Sequence, residues 1–462
     1  MHDETKNSRT LKWLLTVFFF LTASIPLLFL ALGIDSSHFA SEQRPLPPEI
    51  IVDDRFNESF TSQFDDYWAR SFPLNSFLVS RYNWLTGHIT SSSTNQKVIW
   101  GKDGYLFFKE TLDDALKVPT LSDQELSRII TSLRLQKEYA EARGATFHFL
   151  IAPNKAAIYP EYLPSFINPL TDVSNAKRLL RLNESVDAID LFSLLTSLKE
   201  DNDGTIYHRL DSHWNNIGAL GAYRELMTTL GLTPLEIGSS FQARNDFQGD
   251  LATMYYPDRE VMDEQLYASD FESVYVPLRP IRTLEDITIE TMRPDKEGSL
   301  LMFRDSFANA LIPYLSSSIG QVTYLRQTKY DYRMLDRKRP EHVVLQIVER
   351  NLAWLLQGTP IMPAPEVEIP LVKGTIEMGV EISETEAAGM TFINAAFDRS
   401  LDYDRVIVAG ERIYEAFPLY DDGVVDDDVW RAGFSLYVDE PLDDMTVYVR
   451  SAGEWYELTS AE

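Results

Sequence analysis

Two short segments bring together the residue types of a nucleophilic triad. One is HRLDSHWNN at 208–216, in which Asp211 and His213 stand two residues apart. The other is LMFRDSFAN at 301–309, in which a hydrophobic run, 300–303, stops at Arg304-Asp305-Ser306. A carboxylate at i−2 in an extended segment lies on the same side as the histidine. It can fix the imidazole tautomer, so that the other ring nitrogen takes a proton from serine. A hydroxyl between a buried strand and a helix start gains oriented backbone N–H groups suited to an oxyanion. The chemistry so encoded is acyl transfer through a serine. A serine at such a junction also serves as an ordinary helix N-cap. Asp211, His208 and His213 would equally suit a divalent cation, but no further ligand spacing supports a metal site.

The elements that must hold these residues read as an α/β domain. Ser122 with Glu125 forms a capping box for a helix reaching Arg143, and Gly144 ends it. Short apolar strands are expected at 146–151, 186–191, 300–303, 322–325 and 343–348, alternating with helices. Asn215 and Asn216 cap a helix whose apolar face is Ile217, Leu220, Tyr223, Leu226, Met227 and Leu230. The alternation predicts a mostly parallel sheet with helices on both faces, whose sites gather at the strand carboxyl ends. Asn154, Lys155, Arg304 and Ser306 each follow such an end. Upstream, GKDGYLFF at 101–108 reads as an Asp103-Gly104 turn feeding an aromatic strand. Phe60, Phe64, Tyr67 and Trp68 recur at helical spacing, which predicts a helix packed on the main domain.

The chain has 462 residues, 44% of them apolar, enough for two or three domains. Its formal charge of −28 argues against nucleic acid as a partner. No cysteine is present, which excludes disulfides, thiolate catalysis and cysteine-bound zinc. Residues 13–34 carry no charge, and at about 1.5 Å per residue they just span a bilayer core of roughly 30 Å. Lys6, Arg9 and Lys12 precede the run while Asp35 and Glu42 follow it, which places residues 1–12 in the cytoplasm and the bulk outside. A cleaved signal peptide ending near Ala40 is the rival reading; a retained signal-anchor fits the run's length better.

Residues 35–55 read as a proline-bearing linker, 56–358 as the catalytic domain and 359–462 as a small all-β domain. In that last domain Trp430, Tyr437, Trp455 and Tyr456 could stack on sugars, though packed core is the commoner fate of such residues. Asp421-Asp422 and Asp426-Asp427-Asp428 read as a solvated acidic loop, with calcium the second reading.

YHRLDSHWNNIGA followed by LMFRDSF, with GKDGYLFF and IAPNKAAIYPEYLP upstream, resembles the alginate O-acetyltransferase-like proteins, the DHHW family. The resemblance covers roughly 55–355 and implies an SGNH-hydrolase-like fold in which Asp and His precede Ser, a permuted motif order. It implies Asp211 as orienting carboxylate, His213 as general base and Ser306 as nucleophile, with the Ser306 N–H and Asn154, Lys155 or Arg304 as oxyanion or substrate groups. Arg304 stands where the family often has glycine. The resemblance further implies an acetyl group moved to a polysaccharide or cell-envelope glycan, no cofactor, and a membrane-bound O-acyltransferase as donor-side partner. Two other readings remain: an acetyl esterase of the same fold, and a non-catalytic glycan-binding assembly factor.

Overall fold

The computed structural model describes residues 12–21, 24–25, 28, 32 and 47–459, save 53–54, 58, 72–74, 91–94, 202–204, 422–431 and 443. Seven strands form the central sheet: β1 (Thr146–Ala152), β2 (Ala188–Asp190), β3 (Val276–Pro277), β4 (Thr288–Met292), β5 (Ser299–Phe303), β6 (Gln321–Leu325) and β7 (His342–Val348). Their order is β2-β1-β7-β5-β6-β4-β3. The first five in that order run parallel, and β4 and β3 close one edge antiparallel. Each parallel strand starts or ends within two residues of its expected place. The antiparallel edge was not foreseen, because TIETM and Val276-Pro277 lack the continuous apolar run of a strand buried on both faces.

The alternation of β1 shows how two cores arise. Phe147, Phe149 and Ile151 pack on one face with helix α3 (Asp123–Glu141). Leu150 and Ala152 pack on the other with α4 (Leu191–Asp201) and α5 (Asn216–Thr229). The Ser122–Glu125 capping box is present, and Gly144 takes φ +80° where α3 stops. Asn215 caps α5 by accepting from the N–H groups of Ile217 and Gly218. Asn216 instead begins the helix and donates to Leu266 O at 2.8 Å. The turn at Asp103-Gly104 has φ of 53° and 76° and pairs Val98–Trp100 with Leu106–Phe108, as the Asp-Gly dipeptide predicts.

Helices α1 (Phe60–Ser71) and α2 (Asn75–Thr90) form the N-terminal flank. The expected helical stretch from Phe60 to Leu85 is divided between these two helices; in α1, Phe60 stacks on Phe64 and Phe64 on Trp68, with Phe64 exposed. The domain contact is made by α2, through small and polar residues. The side chain of Asn83 donates to Tyr255 O at 2.9 Å, and the Tyr255 hydroxyl donates back to Asn83 O.

The C-terminal region is β-rich. Val372–Glu377, Glu454–Thr459, Thr446–Ser451, Arg405–Ala409 and Ile413–Ala416 make one sheet; Val380–Ala387, Met390–Phe397 and Gly433–Val438 make the second. It is tied to α3 by Arg134, 2.5 Å from Glu415, and by Arg128, which donates to the Tyr403 hydroxyl at 3.3 Å. Trp455 lies against the five-stranded sheet with the Arg405 guanidinium 5.4 Å from its ring centre. Asp421 is buried and paired with Lys329 at 2.7 Å. Trp430, Asp422 and Asp426 to Asp428 lie outside the described residues, as do most of residues 22–46. Among the described residues no helix is long and apolar enough to cross a membrane.

Candidate active site

The serine is delivered by backbone. β5 lies between β6 and β7 in the sheet interior and ends at Phe303. Asp305 then caps the following 3-10 helix, Ser306–Leu311, by accepting from Phe307 N. Its carboxylate is further held by Gln346 Nε2 at 2.9 Å and Val348 N at 2.6 Å, both from β7. The cap is therefore Asp305, not Ser306, and the serine hydroxyl is left for other work.

The Asp–His loop is delivered by side chains. Tyr207 and Trp214 form an isolated antiparallel bridge that closes residues 208–213 into a tight loop. Lys155 sits buried beneath it, and Nζ donates to the carbonyls of His208 (3.1 Å), Arg209 (3.1 Å) and Asp211 (2.6 Å). Asp211 Oδ1 accepts from both the backbone N–H and Nδ1 of His213, each at 2.7 Å. Its Oδ2 accepts from Asp250 N at 2.7 Å. That close pass requires Gly249, since a Cβ there would stand 2.3 Å from Leu210 O. Trp214 Nε1 donates to Phe307 O at 3.0 Å and docks the loop on the serine helix. His213 Nε2 then lies 2.9 Å from Ser306 Oγ. With Nδ1–H donated to Asp211, Nε2 is the acceptor for the serine proton.

Charge follows the geometry. Burial alone would push the His213 pKa down, but the Asp211 carboxylate facing its ring outweighs this and holds it above the ordinary value. Burial would raise the Asp211 carboxyl, yet its pairing with His213 holds it well below the usual range. Asp250 is pushed up to about 6 by burial and by the neighbouring Asp211 charge. Burial brings Lys155 down to about 8 against the pull of Asp211, Asp250 and Asp263.

The structure therefore brings Asp211, His213 and Ser306 together. The other sequence candidates surround the triad with their polar groups engaged by protein partners. Lys155 is no surface charge; it is a strut under the loop. Asn154 is buried with Nδ2 on Asp114 Oδ2 at 2.7 Å, and its Oδ1 accepts from Arg350, which lines the Ser306 cavity, at 3.5 Å. Arg304 lines the cavity beside Ser306 but spends its guanidinium on Asn309 Oδ1 (2.5 Å) and Leu284 O (2.6 Å). His208 lies flat against Phe247, 3.9 Å between ring centres, with Nδ1 facing Glu264 O. The metal alternative built on His208 thus loses that ligand; Asp250 takes its place, within 4.8 Å of Asp211 and His213. Asp250 is itself engaged with the Ser212 hydroxyl and N–H at 2.5 and 2.8 Å.

Two groups escaped the sequence reading. Asp250 carried no signal beyond its glycine neighbour. Arg350 carried one: it follows the end of β7, the same strand-end position that nominated Asn154. Its guanidinium lies 5.3 Å from the ring centre of Phe108 and 5.5 Å from that of Phe307, and it lines with Ser306 a cavity of about 460 Å³. Trp354, Arg326 and Glu285 line the same cavity.

Residues 98–270 match the family model of the SGNH hydrolase-like domain of the acetyltransferase AlgX. The match to the AlgX model includes Asp211, His213 and Asp250 and ends before Ser306. Among solved structures, a DHHW family protein from Eubacterium siraeum is 16% identical with TM-score 0.38, over 49% of this chain and 85% of that one. Bacillus cereus PatB1 is 18% identical with TM-score 0.42, over 54% and 95%. The O-acetyltransferase domain of Pseudomonas putida AlgJ is 20% identical with TM-score 0.39, over 56% and 92%. No curated protein matches the sequence.

Proposed function

We propose that the chain is a membrane-anchored, extracytoplasmic O-acetyltransferase that passes an acetyl group through Ser306 to a hydroxyl of a polysaccharide or cell-envelope glycan. The observation that carries this reading is the unbroken relay Asp211–His213–Ser306, with both hydrogen bonds under 3 Å and a cavity at the serine. The match to an acetyltransferase domain model supports the reaction class.

In the first half-reaction His213 Nε2 takes the Ser306 proton as Oγ attacks the donor's acetyl carbonyl. The Ser306 N–H, at the first position of its helix, is free of an intrahelical acceptor and faces the developing oxyanion. The imidazolium, stabilised by Asp211, returns the proton to the leaving oxygen, and acetyl-Ser306 remains. In the second, Nε2 takes the proton of a glycan hydroxyl, which attacks the acyl-serine and frees Oγ. Residues 13–34 serve as the anchor. The donor is supplied by a membrane-bound O-acyltransferase partner, and tethering raises the effective concentration of the domain near it.

The test is acetyl transfer from a chromogenic acetyl ester to an acceptor oligosaccharide, followed by mass spectrometry, with Ser306→Ala in parallel. Acetylated oligosaccharide that disappears in the variant supports the proposal. Acetate release without transfer assigns an esterase, and no turnover even with the membrane partner present assigns a binding role.

A further inference from the structure

Helix α2 is built inside out. The residues it buries against the domain are Ser76, Ser80, Asn83 and Gly87, at i, i+4, i+7 and i+11, with Ser80 0% and Asn83 2% exposed. They pack closely: Ser80 Oγ accepts from Asp258 N at 3.3 Å, and a Cβ on Gly87 would stand 2.8 Å from the Tyr255 hydroxyl. The opposite stripe, Leu78, Tyr82 and Leu85, points away from the protein, with Leu78 49% and Tyr82 55% exposed. Phe77 is likewise exposed, as are Phe64, Phe56 and Ile51 on the preceding elements. A helix of a water-soluble domain turns its apolar stripe inward. Small residues inside and large apolar ones outside is the arrangement of helices that meet lipid.

We infer that the outer face of α2, with its apolar neighbours, lies in the headgroup boundary of the bilayer that residues 13–34 anchor to. Three observations select lipid over a protein occupant. The exposed apolar residues from Ile51 to Leu85 follow the uncharged run 13–34 in sequence, so the anchor keeps them within a short stretch of chain of the membrane. Arg81 folds over Phe77, 5.0 Å from its ring centre, so the guanidinium rides on an apolar side chain as it does at a lipid–water boundary. Tyr82 on the same stripe has the apolar ring and polar tip favoured at that depth. The formal charge of −28 gives the chain no net attraction to anionic lipid, so the apolar face is what binds. The consequence for function is orientation: a flexible tether alone lets the active site face any direction, whereas a seated α2 fixes its height and aspect above the membrane.

The inference rests on the anchor, and the experiment separates the two. Because the chain has no cysteine, single Leu78→Cys, Tyr82→Cys and Leu85→Cys variants of the full chain can each carry one nitroxide label, with Leu371→Cys, in the β-rich region, as control. Each is reconstituted with phosphatidylcholine vesicles and floated on a density gradient. Flotation with labels at 78, 82 and 85 relaxed by oxygen and shielded from a water-soluble nickel chelate, and the reverse at 371, is the expected result. Flotation with all four sites open to the chelate leaves the anchor standing and overturns the seated helix. Labels immobilised and shielded from both agents show a protein occupant, a second copy or a partner, and also overturn it. Failure to float overturns both.

Discussion

The two halves of the triad are held by different means. Ser306 stands at the end of a strand hydrogen-bonded on both sides, its helix capped by an aspartate tied to the next strand. Asp211 and His213 stand on an irregular loop with no strand of the central sheet in it, shaped by one buried lysine, one carboxylate and one indole. A sheet spreads its positioning over many backbone bonds, so losing one side chain moves it little. A loop held by three or four side-chain contacts concentrates the same task, so losing one is costly. The loop half should therefore be the fragile half.

The sharpest break in that comparison comes from Asp211→Asn. The amide can no longer enforce the tautomer, and turnover should fall by about 10³ to 10⁴-fold with the fold retained. The pH profile gives an independent check. With Asp211 present the His213 pKa is raised, and the base works only when neutral, so kcat/KM should climb through a value above the ordinary ~6.5. In Asp211→Asn the limb should move to lower pH. A limb that stays in place would show that another group titrates.

Next in size is Lys155→Met. Three buried carbonyls lose their donor, at about 1–3 kcal/mol for each group left unsatisfied. A fall in thermal midpoint and a loss of activity on the order of 10²-fold should accompany each other, and Lys155→Arg should not restore either, since a planar fork does not fit a three-carbonyl cup. The counterpart on the strand side is Gln346→Ala. The Asp305 carboxylate keeps Phe307 N and Val348 N while the Asp305 N–H loses Gln346 Oε1, so the cost should be about 1–3 kcal/mol and activity should stay within about threefold. Equal losses in Lys155→Met and Gln346→Ala would erase the distinction between the two halves.

Smallest is Asp250→Asn. It is the backbone N–H of Asp250, not its side chain, that holds Asp211, so activity should fall by about twofold or less. A loss as large as that of Asp211→Asn, mirrored by a chelator in the wild type, would instead make Asp211, His213 and Asp250 a metal site.

The sequence made the chemistry easier to read than its supports. The triad's residue types and order, the five parallel strands and the Asn215 cap follow from local pattern. The role of Lys155 does not, because nothing local distinguishes a lysine that threads a loop some fifty residues away from one in solvent. A helix cap was the alternative reading of Ser306, because serine commonly is one; Asp305 takes that place, held by β7, a partner distant in sequence. Helix α2 shows the limit of periodicity most clearly. Apolar spacing identified a helical flank, but which face is inward was decided by Tyr255 and the small residues that fit against it. Asp250 was invisible for the same reason as Lys155.

The central claim is that Ser306 carries the acetyl group. The direct measurement is peptide mass spectrometry of the full chain quenched in acid during turnover of an activated acetyl ester. The account predicts one acetyl group on the peptide containing Ser306, absent from Ser306→Ala and accumulating more slowly in Asp211→Asn. Undiminished turnover by Ser306→Ala, or an acetyl group on another residue that exchanges at the rate of turnover, would contradict it.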